Sequence, residues 1–156
     1  MAAGHELSLT NAPLYVRRII VKKLFGQYSY DLRLDGDASA GQSKLIIFYG
    51  DNGCGKTTVL KLIFHLLAHG SQSGHRAFVA RTSFQSFTVE LGNGISVTAQ
   101  RPAEKLTGDF RMEIRQGAQV VSAATFISDD NGKVKSRRES PSDSPSVLEI
   151  LGSGTV

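Results

Sequence analysis

Nine consecutive residues, Gly50-Asp51-Asn52-Gly53-Cys54-Gly55-Lys56-Thr57-Thr58, constrain this chain more than any other part of it. The first eight satisfy the pattern G-x-x-x-x-G-K-[ST], in which each fixed position has a physical reason. Glycines accept positive φ and let the backbone approach a ligand with no Cβ in the way. Successive N–H groups then form a nest for an anion. A helix beginning near Lys56 adds its unpaired N-terminal N–H groups and the positive end of its dipole. The pattern predicts that Lys56 reaches the β and γ phosphates of a nucleotide and that the Thr57 hydroxyl ligates Mg2+. Thr58, one residue further on, is placed to reach the α-phosphate. The backbone of Gly50, Asp51, Asn52, Gly53, Cys54 and Gly55 completes the cradle, and ATP with Mg2+ is the expected ligand.

The flanks sharpen the expectation. Lys44–Tyr49 (KLIIFY) is a short apolar run that suits a strand buried on both faces of a parallel sheet. Lys56–His69 (KTTVLKLIFHLLAH) reads as a helix, with Gly70 as its stop. Its apolar residues cover most of the circumference, which predicts packing on several sides. Upstream, Tyr15–Phe25 and Tyr28–Leu34 read as two strands joined at Gly26-Gln27, and Asp35–Ser43 as a polar loop. Downstream the period becomes two. Arg76–Leu91, Ile95–Arg101, Phe110–Arg115 and Gln119–Ile127 read as strands, with one more after Asp130-Asn131-Gly132. Their glycine-rich reversals imply an antiparallel meander. Residues 1–14 read as a leader, 15–135 as a nucleotide-binding lobe and 136–156 as a flexible tail.

The loop also resembles a family. Gly50-Asp51-Asn52-Gly53-Cys54-Gly55-Lys56-Thr57-Thr58 is similar to the G-x-N-G-x-G-K-[ST]-T form of ABC-type ATPases. Asn52 and the doubled Thr57-Thr58 look like the SMC/RecF-like and overcoming-lysogenization-defect-like AAA-family proteins. Val16–Leu34, VRRIIVKKLFGQYSYDLRL, resembles the opening hairpin of those ATPase heads. The resemblance implies an α/β P-loop NTPase fold: the N-terminal lobe of an ABC-type head, with a parallel strand/P-loop/helix core and an antiparallel β-subdomain. It implies ATP binding in a DNA-repair or phage-defence (antiviral) system, with a second copy or a partner ATPase subunit completing an ATP-bridged pair. DNA enters as a partner by the same resemblance.

The family also needs an apolar strand ending in Asp-Glu, an LSGG-like signature and a switch histidine, and the sequence carries none. Thr125-Phe126-Ile127-Ser128-Asp129-Asp130 is the nearest candidate for the first, but Ser128 interrupts it and Asn131-Gly132 makes it a hairpin turn. The complete protein or complex is thus the expected ATPase, with Lys56 as its catalytic residue, and the chain alone is expected to bind and hydrolyse poorly. A non-catalytic nucleotide-responsive module acting with a partner ATPase is the rival reading. A small P-loop kinase is a third, disfavoured by the two strands before the loop.

Other residues are weaker candidates. Tyr28 and Phe25 precede the loop at a distance where ABC transporters place an adenine-stacking aromatic, although Tyr28's strand alternation equally suits a core role. Cys54 reads as a small space-filler, or else as a thiol made reactive by Lys56 and the helix start. His65 and His69, at i and i+4, have metal-binding spacing without an evident third ligand. A single cysteine excludes a disulfide framework and a multi-cysteine zinc site. No apolar run is long enough to cross a bilayer and no secretory signal is evident, which points to the cytoplasm. A net charge of +4 favours anionic partners.

Overall fold

Period-two alternation of β-branched and polar residues builds most of this molecule. The computed structural model describes residues 15–34, 46–68 and 74–138. Seven strands are formed: β1 Val16–Leu24, β2 Tyr28–Arg33, β3 Ser86–Leu91, β4 Ile95–Gln100, β5 Phe110–Gln116, β6 Gln119–Ser128 and β7 Val134–Arg138. Between β2 and β3 lie two helices, α1 Lys56–Leu67 and α2 His75–Arg81. The strands make one open sheet in the order β2-β1-β3-β4-β5-β6-β7, and every ladder is antiparallel.

In β3 and β4 every second residue (Phe87, Val89 and Leu91; Ile95, Val97 and Ala99) points to one face and is buried there. Ile19 and Val21 of β1, Met112 and Ile114 of β5 and Phe126 of β6 extend that face. Both helices cover it, α1 over β4 and α2 over β6 and β7. Val59, Leu62 and Leu66 of α1 and Val79 of α2 close the core. Burying each such side chain stabilises the fold by about 1.5–3 kcal/mol.

Two buried arginines tie the helices down. Arg76, the second residue of α2, donates to the carbonyls of His65 at 2.8 Å, Leu66 at 3.0 Å and Ala68 at 3.4 Å. Those carbonyls end α1 and lack intrahelical partners, so a cation there satisfies them and complements the dipole. Arg101 does the same for α2, donating to Val79 at 2.7 Å, Ala80 at 3.2 Å and Thr82 at 2.9 Å. It also bonds the Phe84 carbonyl at 3.0 Å and lies over the Phe84 ring. Burial lowers both guanidinium pKa values to about 10, which leaves both charged at neutral pH.

The opposite face of the sheet is polar. Glu113 bridges Arg111 and Arg115, and Arg18 holds Asp31 through two bonds of 2.7 Å and Glu90 at 3.4 Å. Register places Lys22, Ser86, Gln100, Arg111, Thr125 and Arg137 in one cross-strand row of this face, and Arg33, Arg18, Glu90, Ser96 and Arg115 in another.

Several expectations are corrected. The α/β class with a parallel core unit does not hold: the sheet is wholly antiparallel and carries only two helices among the described residues. Ile46–Tyr49 is no buried strand. It runs without regular structure, with Ile47 77% and Tyr49 99% exposed. A parallel ladder needs a neighbouring strand returned by a crossover, and here the chain after α1 passes through α2 into β3, which pairs antiparallel with β1. Helix α1 packs on one side only, since Leu60 and Phe64 are 49% and 63% exposed. It ends at Leu67, with the Ala68 N–H bonded to the Phe64 carbonyl. Arg76–Arg81, read as the start of a strand, is helical, and Ser136–Arg138, assigned to the tail, belongs to β7. The leader, the 35–43 loop, Lys44, Leu45, His69, Gly70 and residues 139–156 lie outside the described residues. No helix among the described residues is long and apolar enough to cross a membrane.

Candidate nucleotide-binding loop

The loop is fixed from below by the β1–β2 hairpin. Gly55 caps α1 with φ 94°. A Cβ at this position would stand 2.5 Å from Leu24 Cδ2, so both the left-handed backbone and the close approach require glycine. Gly53 is also left-handed, at φ 88°. Tyr30, on β2, donates its hydroxyl to the Cys54 carbonyl at 2.8 Å and so braces the loop against the sheet. Burial first, then the charge of Cys54 and of Tyr28, pushes the Tyr30 phenol above its ordinary pKa, which keeps it a donor.

Helix α1 opens without neutralisation. The Val59 N–H bonds the Gly55 carbonyl at 2.9 Å, the first turn holds no acidic residue, and no side chain caps the helix start. The preceding N–H groups are the ones that a helix leaves without an internal acceptor. Lys56 folds back across the loop. Its Nζ donates to the carbonyls of Gly50 at 2.6 Å and Asp51 at 2.8 Å, and lies 3.8 Å from Cys54 Sγ. These bonds curl Gly50–Cys54 around the ammonium, beside the positive end of the helix. The concentration of positive potential suits a multiply charged anion.

The candidate residues are thereby brought together in part. Gly50–Thr58 forms one continuous turn into α1, with Asp51, Asn52 and Thr57 exposed. Phe25 lies against the loop, its Cε2 3.3 Å from where a Gly55 Cβ would be. Tyr28 stacks on Tyr30 with ring centroids 6.1 Å apart and planes 7° apart, and is 36% exposed. The hairpin tip thus sets Phe25 against the loop and Tyr28 on the ring of Tyr30, which bonds it. No sequence motif marks Tyr30 as the brace of this loop. The available signal was its i, i+2 relation to Tyr28, which puts both on one face of β2.

Other candidates separate from the loop. Asp129 Oδ1 accepts from the N–H groups of Asn131 at 3.1 Å and Lys133 at 2.8 Å, so its carboxylate organises the β6–β7 hairpin. No group of three or more histidine, cysteine, aspartate or glutamate side chains suited to a metal occurs among the described residues. His65 meets His75 across the α1–α2 joint. A scan against protein-family models finds no match, and a search among curated proteins finds no significant relative.

Proposed function

We propose that this chain is a nucleotide-binding module that holds the triphosphate of Mg-ATP in Gly50–Thr58 and hydrolyses it poorly on its own. The observation that carries this reading is Lys56, whose ammonium is drawn over the loop by the Gly50 and Asp51 carbonyls beside an uncapped, acid-free helix start. Two neutral carbonyls solvate that charge without cancelling it, so phosphate oxygens gain a charge-assisted contact on arrival. Lys56 grips the phosphates, Thr57 takes the Mg2+, and Thr58 and the loop amides hold the remaining oxygens. Tyr28 and Phe25 are the candidates to lie against the base. The likeness to ABC- and SMC-type AAA-family ATPases rests on the loop and the hairpin before it. Completion of the catalytic apparatus by a second copy or a partner ATPase subunit, in a cytoplasmic DNA-repair or antiviral setting, is the corresponding proposal. Phosphate release by the isolated chain at rates typical of an ATPase would overturn the poor-hydrolysis part. Thr57→Ala should bind ATP with an affinity nearly indifferent to Mg2+.

A second reading has its own observation. The open face of the sheet carries Arg18, Lys22, Arg33, Arg111, Arg115, Lys135 and Arg137 against Asp31, Glu90 and Glu113. Such a face offers phosphate contacts to duplex DNA without base readout. Affinity should then fall steeply with salt, and Arg111→Gln with Arg115→Gln should reduce the logarithmic salt slope by about 2. A flat, salt-independent titration would count against it.

A further inference from the structure

The joint between the helices holds a feature that nucleotide binding does not use. His65, in the last turn of α1, and His75, the first residue of α2, face each other with their Nδ1 atoms 2.8 Å apart. We propose that His65 and His75 form a two-imidazole site for a divalent nickel or copper ion, clamping α2 to the end of the helix that begins at the phosphate loop.

The spacing selects the class of ion. Two imidazole nitrogens bound about 2.0 Å from a metal lie about 2.8 Å apart when they occupy adjacent square-planar or octahedral positions. On a tetrahedral ion such as Zn2+ they spread to about 3.3 Å. The pair shares a hydrogen bond at the shorter distance, which a metal would replace on loss of the bridging proton, and both rings are set by packing. Phe78 stacks on His65 with centroids 4.2 Å and planes 22° apart. Phe64 meets His65 edge-on at 5.2 Å and His75 at 5.4 Å. Arg76, next to His75, is anchored on the α1 carbonyls and fixes the backbone that carries the second ligand.

Lys61 and Arg76 stand close enough to His65 to repel a cation. Arg76 spends its charge on the carbonyls of His65, Leu66 and Ala68, which leaves Lys61 as the more open opponent. Water completes the coordination, and the site is a moderate binder.

The sequence has four histidines, which makes the test clean. With His5→Gln and His69→Gln in the background, only the proposed pair remains. Isothermal titration of that folded variant with Ni2+ should give one site per chain, together with a rise in Tm. Adding either His65→Gln or His75→Gln should weaken binding by about a hundredfold, the loss expected when a chelate becomes a single ligand. Circular dichroism confirms the fold of each variant, and either single addition suffices if the other fails to fold. Loss of the site in the His5→Gln/His69→Gln background, or its survival after His75→Gln and His65→Gln, would overturn the proposal. Either result would mean that the two imidazoles only share a hydrogen bond.

Discussion

The covered face of the sheet and the stretch Ile46–Gly50 are rich in the same apolar residue types, yet they end in opposite environments. On the sheet, Phe87, Val89, Val97 and Met112 are fully buried because each lies between paired strands and beneath a helix. Along Ile46–Tyr49 the backbone has no ladder, and Ile47 and Tyr49 face outward. Apolar composition alone therefore does not bury a segment; a partner for its backbone groups is also required. The sheet and its two helices form the buried core, and Phe48 is the residue of the stretch that packs against it. The loop that follows meets the hairpin at Gly55 and Cys54, through Leu24, Phe25 and Tyr30.

This contrast can be broken most forcefully in the core. Phe87→Ala should cost about 3–5 kcal/mol in chemical denaturation, by leaving a cavity beside Phe84 in the core. Arg101→Met comes next, at about 3 kcal/mol, because several buried carbonyls lose a charged donor. Gly55→Ala tests the junction between the two regions. A Cβ against Leu24 at positive φ should cost about 1–3 kcal/mol, and it should weaken ATP binding more than the stability loss alone explains. Ile47→Ser should change stability by less than about 0.5 kcal/mol, since the side chain is mostly exposed. A large loss there would mean that the exposed stretch contributes to the fold after all.

The joint between α1 and α2 sharpens the comparison through pH. The folded state holds the His65 pKa below its unfolded value, so the unfolded chain takes up the extra proton. Stability from this group is full above the unfolded pKa, about 6.5, and declines as pH falls from there through the lowered folded pKa. Thermal unfolding between pH 7 and pH 5 should show this decline, and His65→Gln should flatten it.

Legibility in the sequence followed the same division. β1, β2, β4, β5 and β6 could be read from alternation and turn residues, because an antiparallel sheet with one covered face imposes period two. Arg76–Arg81 reads as strand because RAFVAR joins smoothly to the alternating run after it. The proposed strand of Arg76–Leu91 was far longer than strands usually are, and Gly74 stood where a left-handed helix cap does. No local pattern marks Arg76 or Arg101 as buried caps, because their acceptors come from distant segments. The strand expected over Ile46–Tyr49 is not formed for the reason given by the contrast itself: a continuous apolar run says what a strand would look like, not that a neighbour exists to pair with it. The positive φ of Gly53 and Gly55 and the helix start at Lys56 were legible from the loop's residues. Its bracing by Tyr30 was not, because that bond joins positions 24 residues apart.

Isothermal titration of Mg-ATP into the wild-type chain and Lys56→Ala addresses the phosphate grip most directly. The wild type should bind one nucleotide per chain, and removing the ammonium should cost about 2–3 kcal/mol, a loss of roughly 30- to 150-fold, with the fold unchanged. Equal affinity in both proteins, or no binding by the wild type, would contradict the assignment of Gly50–Thr58 as a nucleotide-phosphate site.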